Sequence, residues 1–295
     1  MPYKKRQMDN MTKPKIIITI DTEVGEKAKF VKEGFEKFVM GKIGDENYGV
    51  PKIVDILNEH NIKGEFFVDV YEDTFFGKEK YASLCKYLDE SGHGVQLHTH
   101  PSYAYDINRI NMHEYSFEEQ VRIISDGKGR IKKWIGKYPI AHRAGNYGAN
   151  NNTLMALKGN NILIDSSYYY GHPNSKIRMS TVNDPLPYNQ VMEIPVSIEL
   201  KNWFISIIDS LKHKIPNKFD INSMNSQSMR NSIETYHSSY CIIFLHSSSF
   251  ISRDQNSIEI TGINQTALNA FSDLLDFLLK EKYAVTQFSK IPFTF

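Results

Sequence analysis

The stretch Lys15-Ile16-Ile17-Ile18-Thr19-Ile20-Asp21-Thr22-Glu23 is an apolar, largely β-branched run that ends abruptly in two carboxylates. Residues 15–20 read as a strand buried on both faces, the kind found in parallel sheets. Outward from it, strands and helices alternate. Val50, Ile53, Val54 and Leu57 recur at helical spacing, with Pro51 in the first turn. Residues 65–70 (EFFVDV) form the next strand, and Tyr81, Leu84, Cys85 and Leu88 mark a helix stopped by Gly92. A third strand covers 94–98. Ser116, with Glu119 three residues on, is a capping box. It opens a long helix whose apolar face is Phe117, Val121, Ile124, Ile131 and Trp134, with Gly127 and Gly129 weakening its middle. Strands are predicted at 140–143, 162–164, 191–196 and 240–246. A last helix has Leu268, Phe271, Leu275 and Leu278 on one face, and a final strand covers about 284–287. Seven or eight such β-then-α units predict an α/β fold, either a parallel barrel or an open doubly wound sheet.

Composition agrees with one enzyme-sized domain. The chain has 295 residues, 41% apolar and 23% charged, and its 35 Lys+Arg against 34 Asp+Glu leave a net charge of +1. A near-neutral chain has no global electrostatic attraction to nucleic acid. Cys85 and Cys241 lie in strongly apolar patterns and read as buried free thiols. Runs such as Ile242-Ile243-Phe244-Leu245 are far short of the roughly 18–20 apolar residues of a membrane span. The basic start of the chain is followed by no apolar stretch of the signal-peptide kind. The reading is therefore a flexible segment 1–14, then a single domain 15–295, cytoplasmic. Two segments interrupt the rhythm, 25–48 and 201–239, the second containing Trp203. Loops this long commonly cover a site, and the first reads as either a substrate-facing lid or a peripheral helix.

Parallel α/β sheets collect function at the carboxyl ends of their strands. Those ends here are Asp21-Thr22-Glu23, Asp69, His98-Thr99-His100, Arg143, Asp165-Ser166-Ser167 and His246-Ser247-Ser248. In extended backbone His98 and His100 point the same way, so both imidazoles can reach one divalent metal, and a strand-one carboxylate would complete a three-ligand site with an open position. The alternative is that one of them only caps the turn before Pro101. Asp21 and Glu23 also share a side, one suited to a base and the other to a ligand. Arg143 can orient a carboxylate through a bidentate pair or form a plain ion pair. His246, at the rim of an apolar strand, suits a general acid. Whether Asp69, Gln96 or Asp165 joins the site is open at this level.

In this order these residues resemble the polysaccharide deacetylase superfamily, metal-dependent carbohydrate esterases with a distorted (β/α) barrel. Residues 16–23 resemble its T-F-D-D motif, and Tyr48-Gly49-Val50-Pro51 through Leu57 with Gly64-Glu65-Phe66-Phe67-Val68 resemble its helix and "ATFFV" strand. Ser91-Gly92-His93-Gly94-Val95-Gln96-Leu97-His98-Thr99 leads into its H-[ST]-x-x-H motif. His142-Arg143-Ala144-Gly145-Asn146-Tyr147-Gly148 resembles R-x-P-x-[YG], and Phe244-Leu245-His246 the closing L-x-H. Ile164-Asp165-Ser166-Ser167 and Glu193-Ile194-Pro195-Val196 are further landmarks. Together these span about 15–291. Three departures stand out. The motif's second Asp falls on Thr22, its second His falls on Ser102 with His100 as the replacement, and the arginine motif has lost its proline.

The resemblance implies a (β/α) barrel of seven or eight parallel strands. It implies Asp21 as general base, held by Arg143, with Glu23, His98 and His100 as ligands of a divalent metal, zinc foremost. His246 would be general acid, and backbone N–H groups near Tyr147 would stabilise an oxyanion. The expected reaction is hydrolysis of an N-acyl group on a sugar, a nucleotide sugar or a lipid-linked precursor. The alternatives are a non-catalytic carbohydrate-binding relative and another metal-dependent amidohydrolase or phosphoesterase.

Overall fold

The computed structural model describes residues 13–199, 215–254 and 257–292. Nearly all of the 1–14 segment, and Trp203, lie outside them. The main sheet is built from β1 (Lys15–Thr22), β2 (Glu65–Asp69), β3 (Gly94–Thr99), β4 (Ala141–Ala144), β5 (Ile164–Asp165), β6 (Leu186–Tyr188), β7 (Val191–Glu193) and β8 (Tyr240–His246). The helices are α1 (Val50–Glu59), α2 (Lys78–Glu90), α3 (Phe117–Ile135), α4 (Asn151–Gly159), α5 (Ser226–Glu234) and α6 (Gln265–Lys280), with shorter turns between. The strand order is β8-β1-β2-β3-β4-β5-β7-β6. Every neighbouring pair is parallel except β7 with β6, so the sheet has seven parallel strands and one antiparallel edge.

The gap between the two sheet edges is bridged by main chain. Phe219 N–H donates to the Ser197 carbonyl (3.0 Å), and Phe244 N–H donates to the Phe219 carbonyl (2.8 Å). The sheet thereby curls into a deacetylase-like barrel, and the open doubly wound alternative is set aside.

Strand alternation splits the apolar residues into two cores. Ile16, Ile18, Ile20, Phe66, Val68 and Leu97 face the helices. Ile17, Phe67, Ala141, Ile164, Ile194 and Ile242 fill the lower barrel, and Phe288 and Ile291 close it from below. The residues one step further along each inner row, toward the carboxyl ends, form the site.

Four local expectations change. Residues 284–287 make one bridge, Ile16 to Val285, instead of a strand, because the chain there turns under the barrel. Phe117 is 39% exposed, and Gln120 and Ile123 take its place on the buried face of α3. That helix runs unbroken through Gly127, whose missing Cβ admits Tyr71 and Leu97. Segment 25–48 contributes a short 3-10 turn (Glu26–Ala28) beside the site, a helical turn (Phe35–Val39) packed on the core and a small hairpin farther along. Both cysteines are free and buried.

Candidate metal and catalytic site

Register assembles the site. Parallel pairing sets Asp21 opposite His246, His98 opposite Asp69 and Arg143 opposite His98. Glu23, just past β1, turns its carboxylate inward. Its Oε2 lies 3.2 Å from His98 Nε2 and 2.7 Å from His100 Nε2. One donor atom from each of Glu23, His98 and His100 falls within 4.8 Å of the others. His98 Nδ1 bonds the Arg143 carbonyl at 2.8 Å. As the carbonyl can only accept, Nδ1 carries a proton, and Nε2 is the nitrogen that faces Glu23. Neither ring nitrogen of His100 has a hydrogen-bond partner, although both are buried. A carboxylate and two inward-facing imidazoles, one of them unsatisfied, form a donor set that fits a divalent cation.

Charge coupling is strong. Burial would raise the Glu23 carboxyl, but the imidazoles, His100 foremost, hold it well below its usual range. Burial would lower His100, but Glu23 and then Glu26 raise it well above the ordinary imidazole value.

Asp21 sits beside this set, with Oδ2 at 3.9 Å from His98 Nε2. Its Oδ1 accepts from Arg143 Nη1 at 2.7 Å. Arg143 is wholly buried. It also donates to Thr19 Oγ1 and to the carbonyl and hydroxyl of Ser166. Its guanidinium lies between the Phe67 and Phe244 rings, 4.2 and 4.9 Å from their centroids. That arrangement fixes Asp21 as a rigid acceptor. His246 Nε2 stands 3.9 Å from Glu23 Oε1 on the more open side. Burial, and then the Lys218 ammonium, lower its pKa.

All six expected residues therefore converge. Of the three left open, Gln96 belongs to the barrel floor, where it donates to Glu65. Asp165 is one residue out of phase with Ser166, and binds His142 Nδ1 at 2.6 Å behind the strands. Asp69 is fully buried one strand from His98, with Oδ2 unpartnered. Burial and then Glu72 push its pKa well up.

Two neighbours had no sequence signal. Glu26, from the first long segment, places Oε1 3.6 Å from His100 Nδ1. Lys218 donates to the Tyr147 hydroxyl (2.7 Å), pairs with Asp220 (2.9 Å) and covers the Phe244 ring at 3.3 Å. Both come from long non-periodic segments, where no spacing marks a functional position.

Comparison with known proteins gives the class to which this fold and site belong. Residues 10–162, more than half of the chain, match the family described as Polysaccharide deacetylase. The chain belongs to that family. No curated protein matches it in sequence. Among solved structures it is similar to a Mycobacterium smegmatis protein that carries a provisional polysaccharide deacetylase name. The identity is 14%, with 96% of each chain covered and a TM-score of 0.56. It is also similar to a CE4 family pseudoenzyme from Bacillus anthracis, at 12% identity and a TM-score of 0.50. That match covers 95% of this chain and 65% of the other. At such identities the likeness is one of fold.

Proposed function

We propose that this protein is a metal-dependent hydrolase that removes an N-acyl group, acetyl in the simplest case, from a sugar. The observation that carries the reading is the convergence of Glu23, His98 and His100 beside an Asp21 carboxylate held by Arg143. A divalent cation held by those three residues would polarise an acyl carbonyl and make water acidic enough to attack near neutral pH. Asp21, as the fixed acceptor, takes the proton from the attacking water. Arg143 keeps that carboxylate in place between turnovers. His246, on the strand next to Asp21, delivers a proton to the departing sugar nitrogen. Its position on the open side lets it reach both leaving group and solvent.

The test is acetate release from N-acetylated sugars and sugar oligomers, with zinc or cobalt restored after chelation. Metal-dependent release that Asp21→Asn reduces by at least about 100-fold supports the assignment. No release with any metal, alongside sugar binding that survives chelation, would replace it with the binding-protein reading.

A further inference from the structure

His100 occupies its place through residues that belong to neither histidine of the pair. It lies past the end of β3, at the head of the short turn Pro101–Tyr103. Its ring sits directly on Gly145. A Cβ at that position would meet His100 Nε2 at 2.3 Å, Cε1 at 2.4 Å and Cδ2 at 2.5 Å, far inside van der Waals contact with the ring. The Gly145 backbone is not in the left-handed region. The glycine is therefore required by the ring and not by its own conformation. This is the position at which the arginine motif lacks its proline.

The other edge of the ring faces Glu26. His100 thus stands between two carboxylates, Glu23 at Nε2 (2.7 Å) and Glu26 at Nδ1 (3.6 Å). Glu26 is itself held. The Ser102 hydroxyl donates to its Oε1. Lys29 Nζ donates to the Ser102 carbonyl (2.8 Å) and hydroxyl (3.3 Å). That ammonium is buried over the Tyr103 ring, 4.3 Å from its centroid. The Ser102 hydroxyl is engaged by Glu26 and Lys29, and the second imidazole of the donor set is His100.

We propose that Glu26 and Gly145 are the positioning residues that make His100 a metal ligand. Gly145 leaves the volume the ring needs, and the Glu26 carboxylate faces Nδ1 from the other edge, so that the ring is held with Nε2 turned toward Glu23. This rests on the reading of Glu23, His98 and His100 as a metal site. A carboxylate behind a ligating imidazole typically contributes 10–100-fold to metal affinity.

The experiment is calorimetric titration of the metal-free full chain with zinc, beside Glu26→Ala, Glu26→Gln, Gly145→Ala and His100→Ala. Thermal unfolding of each metal-free variant serves as the fold control. Glu26→Ala should weaken zinc binding about 10–100-fold. Glu26→Gln, which keeps an accepting oxygen, should lose less. Gly145→Ala should bind as poorly as His100→Ala. Should Gly145→Ala fail to fold, the double variant Gly145→Ala/His100→Ala removes the obstructing ring and should fold again; a double variant that stays unfolded overturns the role given to Gly145. Wild-type binding with unweakened Glu26→Ala and Gly145→Ala overturns the proposal and leaves the metal reading intact. No zinc binding by the wild type removes the metal reading, and the proposal with it.

Discussion

Arg143 Nη1 donates to Asp21 Oδ1 at 2.7 Å inside the barrel, with the guanidinium shielded from solvent on every side. A pair buried in this way is costly to break from one side, because the partner remains as an uncompensated charge. Asp21→Asn preserves shape and removes only the charge. It should lower the unfolding free energy by about 3 kcal/mol, at the low end of measured buried-pair losses, and suppress acyl hydrolysis in the same protein. Urea unfolding monitored by far-UV circular dichroism reads the first effect, and acetate release reads the second. Unchanged stability would mean that solvent reaches the guanidinium.

How much of this was legible in the sequence follows from the physics of each element. β1 was readable to its end because, in a parallel sheet, an apolar run stopped by two carboxylates marks where a buried strand leaves the core. Arg143 and His246 were readable for the same reason, each being the first polar inward residue past a buried run, and His98 because it shares the carboxyl end of its strand with His100 two residues on. Asp165 looked equivalent, but β5 is only two residues long, too short for alternation to reveal which face Asp165 takes. Glu26 and Lys218 were invisible because insertions have no period. The antiparallel β6 and the bridge through Phe219 were hidden as well, since backbone hydrogen bonds made by irregular chain carry no side-chain pattern.

Two glycines of α3 should respond oppositely to the same change. Gly129 has open space where a Cβ would go. Gly129→Ala should therefore stabilise by about 0.5–1 kcal/mol through helix propensity. At Gly127 a Cβ would meet the Tyr71 hydroxyl at 2.6 Å and Leu97 Cδ1 at 2.7 Å. Tyr71 cannot easily yield, because its hydroxyl donates to the Ile123 carbonyl at 2.6 Å. Gly127→Ala should lose about 1–3 kcal/mol to overpacking. Equal shifts in melting temperature for the two variants would contradict this packing of α3 on β3.

The amino-terminal ends of β2 and β3 hold two buried groups whose titrations oppose each other. His93 accepts from Gly64 N–H through Nδ1 (3.0 Å), and burial with the nearby Lys63 charge lowers its pKa to about 4. The unfolded chain binds a proton there below about 6.5. His93 therefore contributes stability that is full above that pH and is lost as pH falls toward 4. Glu65 accepts from Gln96 Nε2 (2.7 Å) and Phe288 N–H (2.8 Å), yet burial raises it to about 7. Its contribution is full below about 4.5 and is lost as pH rises through 7. Each spans about 3 kcal/mol at 1.36 kcal/mol per unit. Subtracting wild-type urea profiles from those of His93→Leu and Glu65→Gln isolates each slope. Between pH 4.5 and 6.5 the first difference should fall with pH and the second should rise. Slopes of the same sign would refute the assignment.

Metal binding should register as stability. A ligand that binds only the folded chain adds RT ln(1 + [L]/Kd), about 2.7 kcal/mol at one hundred times its Kd. The Glu23, His98 and His100 donors come from the ends of β1 and β3, and only folding brings Glu23, 75 residues from His98, within 4.8 Å of the two imidazoles. The unfolded chain therefore has no equivalent set. Zinc at that excess should raise the midpoint of thermal unfolding, and a chelator should return it to the metal-free value. In His98→Ala/His100→Ala the zinc-dependent shift should vanish, because one carboxylate is a weak isolated ligand. Arg143 and Asp21 lie outside the donor set, so Asp21→Asn should keep the shift while losing hydrolysis. Such a separation would divide the site into metal-holding and proton-moving parts, whereas a shift lost in Asp21→Asn would make Asp21 a ligand and leave the base to be found elsewhere.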